Sequence, residues 1–167
     1  LLVSNHPRWR IHANFDDCPW TREIETCKVV GVDGYAYEPV WIHPADAARL
    51  GIENGDIVEV FNERGTVLGG AYVTERVIPG AVLQDHGAET DPIVPGVGGI
   101  DRGGANNLIA PSATSSKNAA GEVTGGFLVG VRKCDIHALM ERYPEAFEAE
   151  HYTIETGTNV YDYLQEA

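Results

Sequence analysis

The chain has 167 residues, a length that suits one domain, and its 12 Lys plus Arg against 25 Asp plus Glu give a formal charge of −13. That acidity argues against general nucleic-acid binding and against an anionic membrane surface, and no run reaches the roughly 18 apolar residues of a membrane-inserted helix. Hydrophobic residues at 43% and charged residues at 22% exclude a disordered chain, while 19 glycines and 9 prolines predict a turn-rich, mainly β domain rather than a helix bundle.

In chain order, Leu1-Leu2-Val3 reads as a strand from the first residue. Because Met140 is the only methionine and no signal-peptide pattern precedes the strand, the sequence is expected to be a piece of a longer protein. His6, Arg8, Arg10, His12 and Asn14 alternate, so a strand through them would put all five on one face. Val40-Trp41-Ile42 is a short buried strand. It leads into a helix of about two turns with Pro44 at its first position, Asp46 in its first turn and Gly51 just past its end. Asn54-Gly55-Asp56 reads as a structural turn with Gly55 at positive φ, outside any site. Ile57 to Phe61 alternates as a strand, Asn62 to Gly65 turns, and Thr66 to Thr74 is the partner strand, in which Gly69 and Gly70 predict a bulge or tight bend. Val77 to Gly80 turns again before a strand at Ala81–Gln84. Residues 85–125 lose periodicity and predict a long functional loop. Phe127 to Val131 returns as a buried strand, and Asp135 caps a helix to about Tyr143 with Ile136, Leu139 and Met140 on one face. The segment 144–167, with Phe147, Tyr152, Tyr161 and Tyr163, is expected to dock on a neighbouring domain or subunit. The whole predicts a small closed β-barrel over residues 1–133 with short helices and an acidic helical C-terminal extension over 134–167.

The chemistry points to binding. Cys18, Cys27 and Cys134 are odd in number and form no Cys-x-x-Cys, which argues for thiols rather than a disulfide scaffold or structural zinc. There is no Gly-x-Ser-x-Gly elbow, phosphate-binding Gly-Lys loop or His-Glu-x-x-His. On an extended strand His6 and His12 would lie about 20 Å apart, so no metal site is expected. Residues 1–15 and 102–121 contain no acid, which makes them candidate walls of an anion site. Together they offer His6, Arg8, Arg10, His12 and Asn14, then Asn106, Asn107, Ser112, Thr114, Ser115, Ser116 and Lys117. Guanidinium forks suit phosphate, and amides and hydroxyls suit a polar heterocycle, but no nucleophile stands beside a base. Arg8, His12 and Asn107 are expected to line one surface.

Four motifs carry a resemblance over about residues 1–133. They are Ser4-Asn5-His6-Pro7-Arg8-Trp9-Arg10-Ile11-His12-Ala13-Asn14; His43 to Val58 followed by Asn62-Glu63-Arg64-Gly65; Val77-Ile78-Pro79-Gly80 through His86-Gly87; and Gly103-Gly104-Ala105-Asn106-Asn107-Leu108. In that order they resemble the C-terminal molybdopterin-dinucleotide-binding domain of the dimethyl sulfoxide reductase family of molybdenum and tungsten enzymes. Ala13 stands where that family usually has Ser. The resemblance implies a double-psi β-barrel, and a molybdopterin guanine dinucleotide cofactor with Mo or W in the full-length enzyme. It implies cofactor contacts from His6, Arg8, Trp9, Arg10, His12, Asn14, His86, Asn107, Ser116 and Lys117. The metal's protein ligand would lie in other domains, and the isolated chain would have no turnover. The implied partners are the remaining domains of the same catalytic subunit and an iron–sulfur electron-transfer subunit. Ile100-Asp101-Arg102-Gly103-Gly104 and the closing Ser115-Ser116-Lys117-Asn118 with Gly125 to Val129 are more similar to the dimethyl sulfoxide reductase and transhydroxylase branches than to formate dehydrogenase or nitrate reductase. A cytoplasmic location is expected, or a periplasmic one if a twin-arginine leader precedes Leu1.

The rival reading is a double-psi barrel used as a protein-binding adaptor, which would have no need of the acid-free strand or the Asn/Ser-rich loop. A self-processing decarboxylase barrel needs a Gly-Ser cleavage site, and an aspartic-protease half needs Asp-Thr-Gly or Asp-Ser-Gly; the chain has none of these.

Overall fold

In the computed structural model, which describes residues 1–123 and 125–148, Val- and Ile-rich stretches separated by turns assemble into one eight-stranded mixed sheet, accompanied by two small two-stranded sheets. After β1 (Leu2–Val3) come a one-turn helix α1 (Pro19–Arg22) and a small hairpin of β2 (Val29–Val30) and β3 (Ala36–Tyr37). Then follow β4 (Pro39–Ile42), α2 (Pro44–Leu50), β5 (Ile57–Asn62), β6 (Gly65–Val73) and β7 (Val82–Leu83). The second half holds β8 (Pro92–Val94), β9 (Ile100–Asp101), a 3-10 turn at Asn106–Leu108 and a hairpin of β10 (Thr114–Ser116) and β11 (Ala119–Glu122). It ends with β12 (Gly130–Lys133), α3 (Ile136–Arg142) and α4 (Pro144–Glu148).

The main path of the sheet runs β1-β7-β4-β6-β5-β12, with β9 joined to β6 and β8 to β9. β1 lies parallel to β7 and β4 parallel to β6, whereas β5 pairs antiparallel with β6 and β12. An isolated bridge between Leu2 and Phe127 ties β1 to the segment that feeds β12, which closes the path into a barrel. Closure removes the unpaired edges that an open sheet would expose. The mainly β barrel therefore stands as the sequence predicts.

Successive residues of the long strands face two different cores. Val58, Val60 and Val67 join Leu2, Val40, Ile42, Ala71 and Ile109 inside the barrel. Ile57 and Leu68 point the other way, onto Tyr37, Ile93, Cys134 and Ile136. Each such Val, Leu or Ile side chain contributes about 1.5–3 kcal/mol by leaving water. Leu139, Met140, Tyr143 and Phe147 pack on this second core, so residues 136–147 belong to the body of the chain. The Arg102 guanidinium lies 4.7 Å from the centroid of Phe147. Tyr152, Tyr161 and Tyr163 fall outside the described residues.

Local signals read well. Helix α2 has Pro44 in its first turn and Gly51 at φ 66 as its left-handed cap, and Asp135 accepts the Ala138 N–H at 3.0 Å to start α3. Four expectations change. β1 ends at Val3, so the alternating histidines and arginines do not lie on a strand. The β5–β6 ladder runs without a shift past Gly69 and Gly70. Those glycines instead admit neighbours, since a Cβ would lie 2.4 Å from Val40 Cγ2 or from Val29 Cβ. The segment 85–125 contains β8 to β11 rather than one long loop. The last barrel strand begins at Gly130, and Leu128 is exposed.

Gly55 sits at φ 88, and its N–H donates to the Ala71 carbonyl at 2.8 Å. Asn54 Oδ1 accepts the Val73 N–H and Asp56 Oδ2 accepts the Glu53 N–H, so the turn is built into β6. Gly55→Val forces a β-branched residue into a left-handed conformation, with an expected loss of more than ~1 kcal/mol in denaturant unfolding.

Candidate functional site

The site begins with a register. β1 and β7 pair in parallel as Leu2↔Val82 and Val3↔Leu83, and the spacing continues beyond both strands. The Gln84 N–H donates to Val3 O, and the His86 N–H donates to Asn5 O. The next residue, His6, therefore meets His86, with His6 Nδ1 and His86 Nε2 3.2 Å apart. The chain then bends back through an Ile11–Asn14 bridge, with His12 at φ 52 and Phe15 at φ 70. Gly87 allows this return, because a Cβ there would lie 2.5 Å from the His12 Cα. His6, His12 and His86 thus converge, with one ligand-type atom of each within 4.8 Å of the others. The extended spacing assumed for His6 and His12 is overturned: their ring centroids are 5.0 Å apart. Sequence alone could not show this, because it depends on a turn made at two non-glycine residues of positive φ.

Beneath the histidines lies a buried charge cluster. Arg10 Nη1 and Nη2 donate to Glu38 Oε1 and Oε2 at 2.9 and 3.1 Å, a two-point guanidinium–carboxylate fork. Arg10 Nη1 also lies 3.2 Å from Asp16 Oδ1, while Lys28 Nζ pairs with Asp16 at 2.9 Å and with Glu38. Arg10, Lys28, Asp16 and Glu38 are all buried. Two cations and two anions cancel here, so the first acid-free window is not acid-free in space. The second window behaves alike: Arg102 is buried against Asp91 at 2.9 Å. Neither Arg10 nor Arg102 is a free anion-binding cation.

What stays accessible is a cleft of about 350 Å³ lined by Asn5, His6, Arg8, Trp9, Arg76 and Asp85, among others. Arg8 and Arg76 are exposed, and the Trp9 indole N–H donates to Thr26 Oγ1 at 3.2 Å. No sequence motif marks Arg76 or Asp85 as site residues; Arg76 simply stands in the strand-to-strand turn after β6. Asn107 is exposed, and its neighbour Asn106 is the buried amide. Asn106 Nδ2 donates to Gln84 O at 2.9 Å and Asp85 O at 3.2 Å, which pins the 3-10 turn to the floor of the site. Asp101 supports that turn by accepting the N–H groups of Asp91 at 2.7 Å and Ala105 at 2.9 Å. Asn14 is exposed on the return turn, and Ser116 and Lys117 are exposed at the β10–β11 hairpin. No hydrogen bond or ion pair joins Asn14, Asn107, Ser116 or Lys117 to Arg8 among the described residues. Ser4, just past the end of β1, accepts from Asn106 Nδ2 at 3.4 Å.

Burial, with the Glu38 charge adding and Arg10 opposing, raises the Asp85 carboxyl to about 6. Burial, together with His6, His12 and Arg10, pushes His86 below its ordinary value. Around this floor His86 Nδ1, Arg10 Nε, Asn106 Oδ1 and both amide atoms of Gln84 are buried without a hydrogen-bond partner among the described residues. Donors and acceptors left over in this way, beside two exposed guanidinium groups and an indole, fit a polar heterocycle carrying phosphates. They provide no activated nucleophile.

Comparison with known proteins points the same way. Residues 1–124 match the family described as "Molydopterin dinucleotide binding domain". The chain is 36% identical over 133 residues to the dimethyl sulfoxide/trimethylamine N-oxide reductase of Cereibacter sphaeroides, covering 79% of this chain and 15% of that protein. It is 35% identical over 135 residues to the pyrogallol hydroxytransferase large subunit of Pelobacter acidigallici, covering 80% of this chain and 15% of that protein. It is 37% identical over 135 residues to trimethylamine-N-oxide reductase 1 of Escherichia coli O157:H7, with the same 80% and 15% coverage. The chain thus spans about 15% of the length of these relatives.

Two outcomes follow from the geometry. Glu38→Ala strands Arg10 and Lys28 as buried cations without their main partner, and is expected to cost about 3–5 kcal/mol in denaturant unfolding. Asp85 has a folded pKa above its ordinary 3.8, so the folded chain holds a proton that the unfolded chain releases, and stability falls as pH rises between about 4 and 6. Asp85→Asn removes this penalty. It should melt like the parent near pH 4 and be more stable by ~1–2 kcal/mol above pH 7, allowing for the partial exposure of the carboxyl.

Proposed function

Since this chain belongs to the molybdopterin-dinucleotide-binding domain family, we propose that it forms one wall of the cofactor site in the catalytic subunit of a molybdenum or tungsten oxidoreductase. The observation that carries this reading is the cleft in which Arg8 and Arg76 stand exposed beside Trp9 and His6, in a chain whose formal charge is −13. Two guanidinium groups left free of buried partners, in an otherwise acidic molecule, mark a place built for phosphate. The dinucleotide is the guanine form. Its phosphates lie against Arg8 and Arg76, and its flat heterocycles against Trp9, His6, His12 and His86. Asn14, Asn107, Ser116 and Lys117 complete the contacts on the strength of the resemblance, and Arg10 acts from below by holding the return turn in place. When bound, the cofactor supplies the metal centre at which substrate exchanges electrons or oxygen.

The described residues at the cleft bind and orient, and among the described residues there no nucleophile stands beside a base. Turnover therefore needs the rest of the subunit, and an iron–sulfur subunit is the proposed electron partner. One relative is itself named as a large subunit, which supports a partnered assembly. The branch closest in chemistry is that of N-oxide and sulfoxide reductases and transhydroxylases.

The test is made in the complete subunit that contains this chain, by assaying metal and pterin content after purification of Arg8→Ala, Arg76→Ala and Asn107→Ala. A hydrogen bond to a charged group is worth about 1.5–3 kcal/mol, so each arginine variant should bind the cofactor roughly tenfold to a hundredfold more weakly. Full cofactor occupancy in both arginine variants, with normal thermal stability, would overturn the reading.

A further inference from the structure

Three imidazoles from separate turns meet at the rim of the cleft, and burial does not explain why. His6 and His12 are exposed and His86 is half-buried, so the cluster gains little from leaving water. Its ring centroids are 4.4 to 5.3 Å apart. His6 Nδ1 and His86 Nε2 face each other at 3.2 Å, and His12 adds its ring across a backbone held at φ 52. A non-glycine residue in that conformation costs energy, and such strain persists where the surrounding structure holds it for a purpose. Gly87, at φ 85, gives up its side chain to let the His12 backbone approach.

We propose that His6, His12 and His86 form a site for one divalent transition-metal ion of the Zn²⁺ type, with the fourth coordination position open to solvent. Ring nitrogens about 2.0–2.1 Å from a tetrahedral ion lie ~3.3 Å from one another. The His6–His86 pair is already at that separation, and ligand atoms within 4.8 Å need only small rotations of exposed rings. An all-imidazole set selects Zn²⁺, Cu²⁺ or Ni²⁺ over Mg²⁺ and Ca²⁺, which demand oxygen. The positive charge of Arg10, whose Nη2 lies 3.4 Å from the His86 carbonyl, is taken up by Glu38 and Asp16. The same imidazoles face the cofactor in the reading above, so the ion belongs to the cofactor-free chain, and its test, made without any pterin, is read separately from the cofactor assay.

The tag-free 167-residue chain is titrated with Zn²⁺ by calorimetry and with Co²⁺ by visible absorption. The expected result is one ion per chain, intense Co²⁺ bands of a four-coordinate site, and no competition from Mg²⁺. His6→Ala, His12→Ala and His86→Ala should each weaken Zn²⁺ binding at least tenfold, with His6→Gln and circular dichroism confirming that the fold persists. His137→Ala, on the exposed face of α3, should leave binding unchanged. Absence of Zn²⁺ binding by the folded parent would overturn the proposal. So would an affinity unchanged in all three histidine variants, or one lost in Cys18→Ser instead.

Discussion

The fork between Arg10 and Glu38 is the contact on which the site depends. Residues 4–28 contain little regular structure, only the one-turn α1, so their own backbone ladder cannot hold them against the barrel. Arg10 and Lys28 from that segment instead converge on Glu38, the residue just before β4, and Asp16 pairs with both cations. Taking four charges out of water is expensive, and their mutual attraction in a dry interior repays it only when each is paired in good geometry. The arrangement therefore tolerates few alternatives, and it anchors the turn that carries His12.

A second constraint is the parallel pairing of β1 with β7, which carries the same offset of eighty residues from Leu2–Val82 to His6–His86. Parallel ladders join segments distant in sequence, so the chemistry they assemble has no local signature. The offset fixes one pair of imidazoles, and the Arg10–Glu38 fork, with Gly87 making room, delivers the third. Asn106 then ties the far loop to the same floor through the carbonyls of Gln84 and Asp85. Three segments, around residues 6–12, 84–87 and 106, thus share one rim.

Charge follows a similar division. The formal −13 is spread over the surface and over internal pairs, while Arg8 and Arg76 keep their guanidinium groups at the cleft. A binding wall needs such unspent cations, because a guanidinium already engaged by a buried carboxylate offers little to a second anion. The structure separates the two kinds: Arg10 and Arg102 stabilise the scaffold, and Arg8 and Arg76 face outward.

Local chemistry in the sequence determined the β character, α2 with Pro44 and Gly51, the Gly55 turn, the Asp135 cap and the family to which residues 1–124 belong. Those features depend on residues within a few positions of one another, where φ preferences, capping and alternation act directly. Tertiary structure alone decided that Arg10 is buried and Arg76 lines the cleft, and that Asn106 rather than Asn107 is the anchored amide. It alone showed that Gly69 and Gly70 yield space to Val40 and Val29 instead of bending the strand. It also brought His6, His12 and His86 together. Each of these outcomes is set by pairing across tens of residues or by a return turn through non-glycine residues at positive φ, and neither leaves a periodic trace in the sequence.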